Sequence, residues 1–380
     1  MTGPAGHRVY LDWNATAPLR PEARAAMLAA MDQIGNPSSV HAEGRAAKTV
    51  IETARAQIAG FVGCDPQEVT FTSGATEAAA LGIHSEYDVI FISEAEHDCV
   101  YERALGIGHS VFVYPRDAGR HEDDEFDYRS AEFDIDQGLF AVSAANGETG
   151  VLEDVGKIGG FAQSAGAEFL TDAVQALGKT AFSFAGSGAD CALASSHKIG
   201  GPKGTGALIS RLGRDVFGGL PGGGQENGRR SGTENIIGIA GFGAAAEAAQ
   251  RDLEAGIWDR VKKLRIILEE TLASAAPETI FFGQESLRLP NTSCFAVPGW
   301  RGETQVMQMD LAGFAVSAGS ACSSGKVNKA SRVLLAMGFD DVTASSAIRV
   351  SMGPTTTEAE VMAFADTWIE HYNRRKARAA

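Results

Sequence analysis

Apolar positions recur in two rhythms along this chain. From Ala42 to Val62 the residues Ile51, Ala54, Ile58 and Val62 repeat at the spacing of one helical face, which predicts a helix with a single buried side. Further on, short unbroken apolar runs take over at Val69 to Phe71, Val89 to Ile92, Val111 to Tyr114, Leu139 to Ser143, Glu168 to Leu170, and CALAS from Cys191. Runs of this length read as buried strands, and helical patterns fall between them: an alanine-rich one after Glu77, one from about Asp98 and one after Asp154. The alternation predicts an α/β fold around a largely parallel sheet.

The flanks read differently. VYLDW from Val9 is a short extended piece, Pro21 opens a helix, and Gly35-Asn36-Pro37-Ser38-Ser39 ends it. Residues 116 to 130 form a charged loop, read as solvated surface. After Gly218 comes GGLPGGGQENGRRSGTEN, a glycine-rich loop long enough to reach a ligand or a neighbouring subunit. One long helix is expected over Ile236 to Ala275, and with it a domain boundary near residue 250. Strands at Asn291 to Val297, Ala315-Val316 and Ala347 to Ser351 then mix with helices at Glu303 to Leu311, from Ser331 and from Thr357. The expected division is a large domain of residues 15–249 and a smaller α+β domain of residues 1–14 and 250–380. The final RRKARAA reads as a frayed, solvated helix end.

Composition narrows the function classes. At 380 residues the chain is long enough for two cores, and its 44% apolar and 21% charged residues are those of a globular protein. Forty-eight acidic against 33 basic residues, a net charge of -15, argue against a broad nucleic-acid-binding face. The five cysteines are scattered without CxxC or zinc-ligand spacing, which suits a reducing compartment and gives no metal site. With no signal-peptide pattern at the N-terminus and no apolar run of membrane-spanning length, a cytoplasmic location is expected.

Candidate chemistry gathers where strands end, the place where open α/β sheets bind ligands. His97, Asn146, Asp172 and Lys198 each follow a predicted strand, and Lys198 stands in SSHKIGGPKGTG, where an amine can form a Schiff base with an aldehyde cofactor. Thr72-Ser73-Gly74-Ala75-Thr76 runs from a strand into a helix and would aim backbone donors at a phosphate; the plainer alternative is a Ser/Thr helix cap. A pyridoxal phosphate site needs a lysine, a carboxylate for the pyridine nitrogen, a stacking ring and phosphate donors. Lys198, Asp172, His97 and the Ser73 to Thr76 turn supply them. Taken alone, the lysine is equally explained as an ordinary residue beside a glycine turn.

The segments YLDWNATAP, GNPSS, FTSGATE, EAEH, TDAVQALGK, SSHKIGGPKGTGAL, RRSGTEN, VSAGSACSSG and SSAIRVSMG occur in an order that resembles the NifS- and IscS-like cysteine desulfurases, pyridoxal-phosphate enzymes of the class V aminotransferase superfamily. The resemblance spans nearly the whole chain and implies the type I fold of pyridoxal-phosphate transferases. It implies that Lys198 carries the cofactor, His97 stacks on its ring and assists proton transfer, Asp172 pairs with the pyridine nitrogen and Gln175 bonds the ring hydroxyl. The phosphate would be held by Ala75, Thr76, Ser195 and His197, with Thr233 donated by the other subunit of a homodimer. Arg349, with Asn14 nearby, would bind the substrate carboxylate, and Cys322 would be the nucleophile that takes sulfur from L-cysteine, leaving L-alanine and a persulfide for an acceptor protein such as an iron–sulfur scaffold or another carrier. Small residues on both sides of Cys322 suit a mobile carrier, whereas Cys191 and Cys294 in apolar strands read as packing residues.

Four departures stand out, one of them the short segment between Leu81 and Asp88. Gly147 occupies the second position of the family's NNE[TI]G motif, so either Asn146 substitutes for the asparagine expected there or the hydrogen bond to the cofactor is missing; Ala80 replaces a common asparagine; and the tail after Arg375 is short. The alternatives are a selenocysteine lyase or another class V enzyme and, in a different class, a non-catalytic scaffold that keeps the fold.

Overall fold

The computed structural model describes residues 8–107, 110–114, 138–214, 216, 222–319 and 330–379. Its centre is a seven-stranded sheet. From one edge the strands are Val69–Thr72, Gly206–Ser210, Cys191–Ser195, Glu168–Asp172, Gly138–Ser143, Val89–Ser93 and Ser110–Tyr114. Six run parallel, and Gly206–Ser210 alone is antiparallel to both its neighbours. The predicted α/β sheet is therefore present, with one strand more than the apolar runs indicated. Gly206–Ser210 follows a glycine turn too closely to stand out as a separate run.

The strands are apolar throughout because both faces are covered. Phe71, Phe91, Phe140 and Phe169 point to a core shared with the Ala42–Val62 and Ile236–Glu254 helices, and Phe91 stacks on Phe140 with centroids 4.6 Å apart. Their neighbours Ile90, Ile92, Leu139 and Leu170 face the opposite core, which includes Ala78, Leu81 and Val100 of the helices Ala75–Gly82 and Asp98–Gly106. The period-two alternation thus sorts each strand between two cores.

A second sheet of four antiparallel strands has the order Ser317–Ala318, Ala347–Ser351, Thr292–Ala296, Ile280–Phe281. Behind it, Trp258, Phe295, Trp300 and Trp368 form another core with the Ile257–Ala275 and Glu358–Ala379 helices. Val9 and Leu11 belong to this core, because Val9–Tyr10 pairs in parallel with Phe314–Ala315. No described helix is long and apolar enough to cross a membrane.

Two expectations need correction. The single helix over Ile236 to Ala275 is two, Ile236–Glu254 and Ile257–Ala275, because Gly256 adopts a left-handed φ of 67° between them. The C-terminal helix continues to Ala379, past the point where fraying was expected.

Gly206 decides how closely the first two parallel ends approach. It pairs with both Thr72 and Ser195, and a Cβ there would stand 2.6 Å from Gly74 Cα and 2.7 Å from the Ala194 carbonyl oxygen. Both obstacles are backbone and cannot swing aside. Gly206→Ala is expected to cost about 1–3 kcal/mol in urea denaturation through overpacking. Gly60→Ala, in a helix with nothing within 4 Å of the new methyl, should be neutral or stabilising by about 0.5–1 kcal/mol.

Candidate active site

Every parallel strand ends on the same edge, so sequence-distant residues meet there. At the Val69–Thr72 end, Gly74 caps the Ala75–Gly82 helix without any side-chain cap, so the Ser/Thr cap is not formed. Thr72 Oγ1 instead donates to the Gly74 carbonyl at 2.9 Å, and the Ser73 N–H donates to Glu77 Oε2 at 2.6 Å. Arg230 holds the same Glu77 at 2.9 Å. The N–H groups of Ala75 and Thr76 open the helix with no side-chain cap competing for them, the donor arrangement that suits a phosphate.

Across Gly206 lies the end of Cys191–Ser195, followed by one turn of 3-10 helix that carries His197 and Lys198. Lys198 Nζ donates to the carbonyls of Asn14 (2.7 Å) and Ala15 (3.0 Å). His197 Nδ1 lies 3.2 Å from Thr16 Oγ1, and burial, with Lys198, Lys203 and Lys179 nearby, pushes its pKa down to about 4. Ser195 is buried beside them.

One strand further, Asp172 is the last residue of its strand rather than the first after it. Its Oδ1 accepts the Val174 N–H at 2.9 Å, and its other oxygen makes no hydrogen bond among the described residues. Burial raises its pKa, partly offset by His97 and Lys198, which places the three groups within electrostatic reach of one another. His97 caps the Asp98–Gly106 helix: its Nδ1 accepts the Cys99 N–H at 3.2 Å and lies 3.1 Å from the Cys99 thiol. Nδ1 is thereby the acceptor nitrogen, and in the neutral ring the proton sits on Nε2.

The second sheet contributes Arg349, buried, whose guanidinium donates to Asp12 Oδ1 at 2.8 Å and to the Gly147 carbonyl at 3.1 Å. Ser317 holds the other Asp12 oxygen. Asn14 ties the two sheets together: its Nδ2 donates to Gly147 O and Thr292 Oγ1, its backbone carbonyl accepts Gln175 Nε2 and Lys198 Nζ, and its backbone N–H donates to Ser351 Oγ.

Asn146 is occupied locally. Its Oδ1 accepts the N–H groups of Glu148 and Thr149 and its Nδ2 donates to Ala95 O, so it shapes the turn in which Gly147 sits. Thr233 is exposed and makes no hydrogen bond among the described residues. Cys322 lies outside the described residues. Cys191 and Cys294 are fully buried, and desolvation raises both thiols, Cys191 to about 12.

Sequence reasoning passed over four residues. Asp12 and Lys179 stand inside the quoted YLDWNATAP and TDAVQALGK segments and are central to the hydrogen-bonding. Glu148, buried, faces Arg349, Arg332 and Ser331, and burial raises its pKa to about 7. Glu226 bonds both Arg55 guanidinium nitrogens at 2.8 Å and the Phe71 N–H, anchoring the glycine-rich loop to the sheet edge. Only the acid at position 148 carried a signal, a carboxylate amid small residues in ANGETG.

The donor set fits pyridoxal phosphate: an uncapped helix start for the phosphate, a lysine amine for the aldehyde, and, for the pyridine nitrogen, the Asp172 oxygen that makes no hydrogen bond among the described residues. The profile of the aminotransferase class-V family matches residues 9–364, and the chain belongs to that family of pyridoxal-phosphate-dependent enzymes. Within it the chain falls among the cysteine desulfurases. It is 40% identical to a cysteine desulfurase of Cereibacter sphaeroides, the match covering 93% of each chain. The structure of a NifS-like protein from Rickettsia africae superposes with a TM-score of 0.88 at 34% identity, over 97% of this chain and 100% of that one. A structure of SspA in complex with cysteine gives 0.75 at 27% identity, over 92% and 100%.

Glu148 makes a test of this polar interior. A carboxyl whose native pKa is about 7 instead of 4.5 binds protons that the unfolded chain releases, so its contribution is intact below pH 4.5 and is lost as pH rises to 7. Relative to wild type, Glu148→Gln should gain stability across that window, by about 3 kcal/mol at most, measured as the difference in urea midpoints at pH 4.5 and 7.5. A difference independent of pH would show that Glu148 ionises normally.

Proposed function

We propose that this chain converts L-cysteine to L-alanine and carries the sulfur away as a persulfide on Cys322. The observation that carries the reading is the meeting of Lys198, Asp172, His97 and the uncapped Ala75–Gly82 helix at one sheet edge, in a chain of the cysteine desulfurase family.

Bound pyridoxal phosphate supplies an electron sink for the carbon from which the substrate proton leaves. The protein's residues do the rest. Ala75 and Thr76 offer backbone donors to the phosphate, joined by Ser195 and His197; a neutral His197 can donate or accept there without adding charge. Asp172 would offer its carboxyl oxygen to the pyridine nitrogen, Gln175 would donate to the ring oxygen, and His97 would offer its ring as a stacking face with Nδ1 taken up by the Cys99 N–H. Lys198 would hold the cofactor through its aldehyde, and its amine would be the group that moves the substrate α-proton. Arg349 binds the substrate carboxylate with a guanidinium already oriented by Asp12.

The sulfur step balances without an outside oxidant. The Cys322 thiolate attacks the substrate sulfur, the carbon–sulfur bond breaks as the sulfur–sulfur bond forms, and the electron pair left on the carbon fragment is protonated to give alanine. The persulfide then passes to an acceptor protein, in iron–sulfur cluster assembly or another sulfur-trafficking route. Asn146, whose oxygen is taken up in its own turn, does not stand in for the asparagine that Gly147 replaces, and Gln175 serves the ring oxygen instead.

Exposure of Thr233 supports a homodimer in which each loop serves the partner's phosphate, and the exposed Leu28, Met31, Ile34 and Val40 give an apolar surface for the pairing. The division into residues 15–249 and 1–14 with 250–380 rests on the separate cores and the break at Gly256. The cytoplasmic location rests on the scattered cysteines.

Cys322→Ala is expected to abolish alanine release from L-cysteine and persulfide labelling while leaving cofactor absorbance intact. Alanine release at the wild-type rate would overturn the persulfide mechanism. Lys198→Ala should lose the absorbance of the covalently held cofactor; a wild-type protein with no such absorbance would make it a scaffold. Arg349→Lys should raise KM for L-cysteine at least about tenfold, since a lysine cannot reproduce the bidentate fork.

A further inference from the structure

Lys179 is a buried amine whose place the reaction does not explain. It follows Gly178, whose φ of 73° turns the chain inward, and the side chain is 4% exposed. Its Nζ donates to Asn14 Oδ1 at 2.9 Å and to Gln175 Oε1. No carboxylate hydrogen-bonds it among the described residues. Burial, with the charges of Lys198 and Arg349 nearby, holds the amine well below the usual lysine value. A buried amine served only by neutral amides and faced by two cations is a liability to folding. An apolar side chain of the same length would remove that liability.

What the amine does is decide which way two amides face. A glutamine side chain can present oxygen or nitrogen, and the two ends differ only in what they bond. Here Lys179 donates one hydrogen to Asn14 Oδ1 and another to Gln175, which places Oε1 on its side. The Asn14 backbone carbonyl can only accept, which requires Nε2 on the other, at 3.0 Å. Asn14 is set by the same logic: its Oδ1 accepts from Lys179 and from Asn291 Nδ2, and its Nδ2 donates to Gly147 O and Thr292 Oγ1.

The consequence falls beside Gly147. A Cβ at that position would lie 3.2 Å from Gln175 Nε2, so the space left without a side chain borders this nitrogen. Nε2 has a second hydrogen with no partner among the described residues. We propose that Lys179 is a positioning residue: by holding Gln175 Oε1 and Asn14 Oδ1 it turns the Gln175 amide so that its N–H, not its oxygen, faces the ring oxygen of the cofactor. This rests on the pyridoxal phosphate reading above. With no asparagine at position 147, the orientation of Gln175 carries that hydrogen bond by itself. Without Lys179 the orientation rests on the Asn14 carbonyl alone, and a flipped amide would set an acceptor against the anionic ring oxygen.

The test uses the full chain, with pyridoxal phosphate itself as the probe. Lys179→Met should bind it at least about tenfold more weakly, shift the pH at which the bound cofactor's absorbance changes, and leave the apoprotein as heat-stable as wild type or more so. Gln175→Leu should weaken binding similarly, and the double variant should be no weaker than Gln175→Leu, because Lys179 acts through that amide. Unaltered affinity and spectrum in Lys179→Met, or additive losses in the double variant, would overturn the proposal while the cofactor reading stands. A wild-type chain that does not bind the probe would overturn both. Should Lys179→Met not fold, Lys179→Gln keeps a donor on a shorter side chain: affinity weakened on its own but not further when combined with Gln175→Leu supports the proposal, and a further loss in that combination refutes it.

Discussion

Asn14 is the fastening on which both halves of the molecule depend. Its side-chain amide and its backbone reach Gly147, Gln175, Lys179 and Lys198 on the large sheet's side and Asn291, Thr292 and Ser351 on the other. Buried polar groups are stabilising only when every donor and acceptor is matched, and a cluster that meets this condition admits few other arrangements. The N-terminal segment that carries Asn14 is itself fixed by a two-residue strand against Phe314–Ala315 and by Leu11 in the second core. The site therefore assembles only when residues near both ends of the sequence have found the central sheet.

The sheet and this network divide the work. Parallel strands bring their ends to one edge without regard to sequence distance, which sets Thr72, Asp172 and Ser195 side by side. Gly206 narrows the distance between the phosphate end and the lysine end to backbone contact. The network then sets angles and charges: Asp12 orients Arg349, and the amides around Lys179 face in one direction. A sheet alone would offer the right residues in loose array.

Much of this was legible in the chain. The strands showed as apolar runs because both faces are buried, and His97, Asp172 and Lys198 were visible because each lies at or shortly after the end of such a run. Gly206–Ser210 was hidden by the glycine turn in front of it, and the break at Gly256 was hidden because the apolar rhythm continues on both sides. The buried polar partners were the least readable. Lys179 looks like any lysine after a glycine, and the half-buried Asp12 like any acid after a short strand; the burial of Lys179 and a partner more than three hundred residues away, for Asp12, are tertiary facts with no local signature.

The charge balance at the site follows from the same geometry. Lys198 and Arg349 stand close enough to oppose a charge on Lys179, while burial raises the pKa of Asp172, with His97 and Lys198 partly offsetting it. Such a surplus of positive character is costly by itself and becomes favourable when a dianionic phosphate, a ring oxygen anion and a substrate carboxylate enter. The protein is in this sense built for its occupants: the basic groups that strain the polar core are the ones that bind them or orient the groups that do. The stability conceded around Asn14 is the physical counterpart of affinity for an anionic cofactor and an amino-acid substrate.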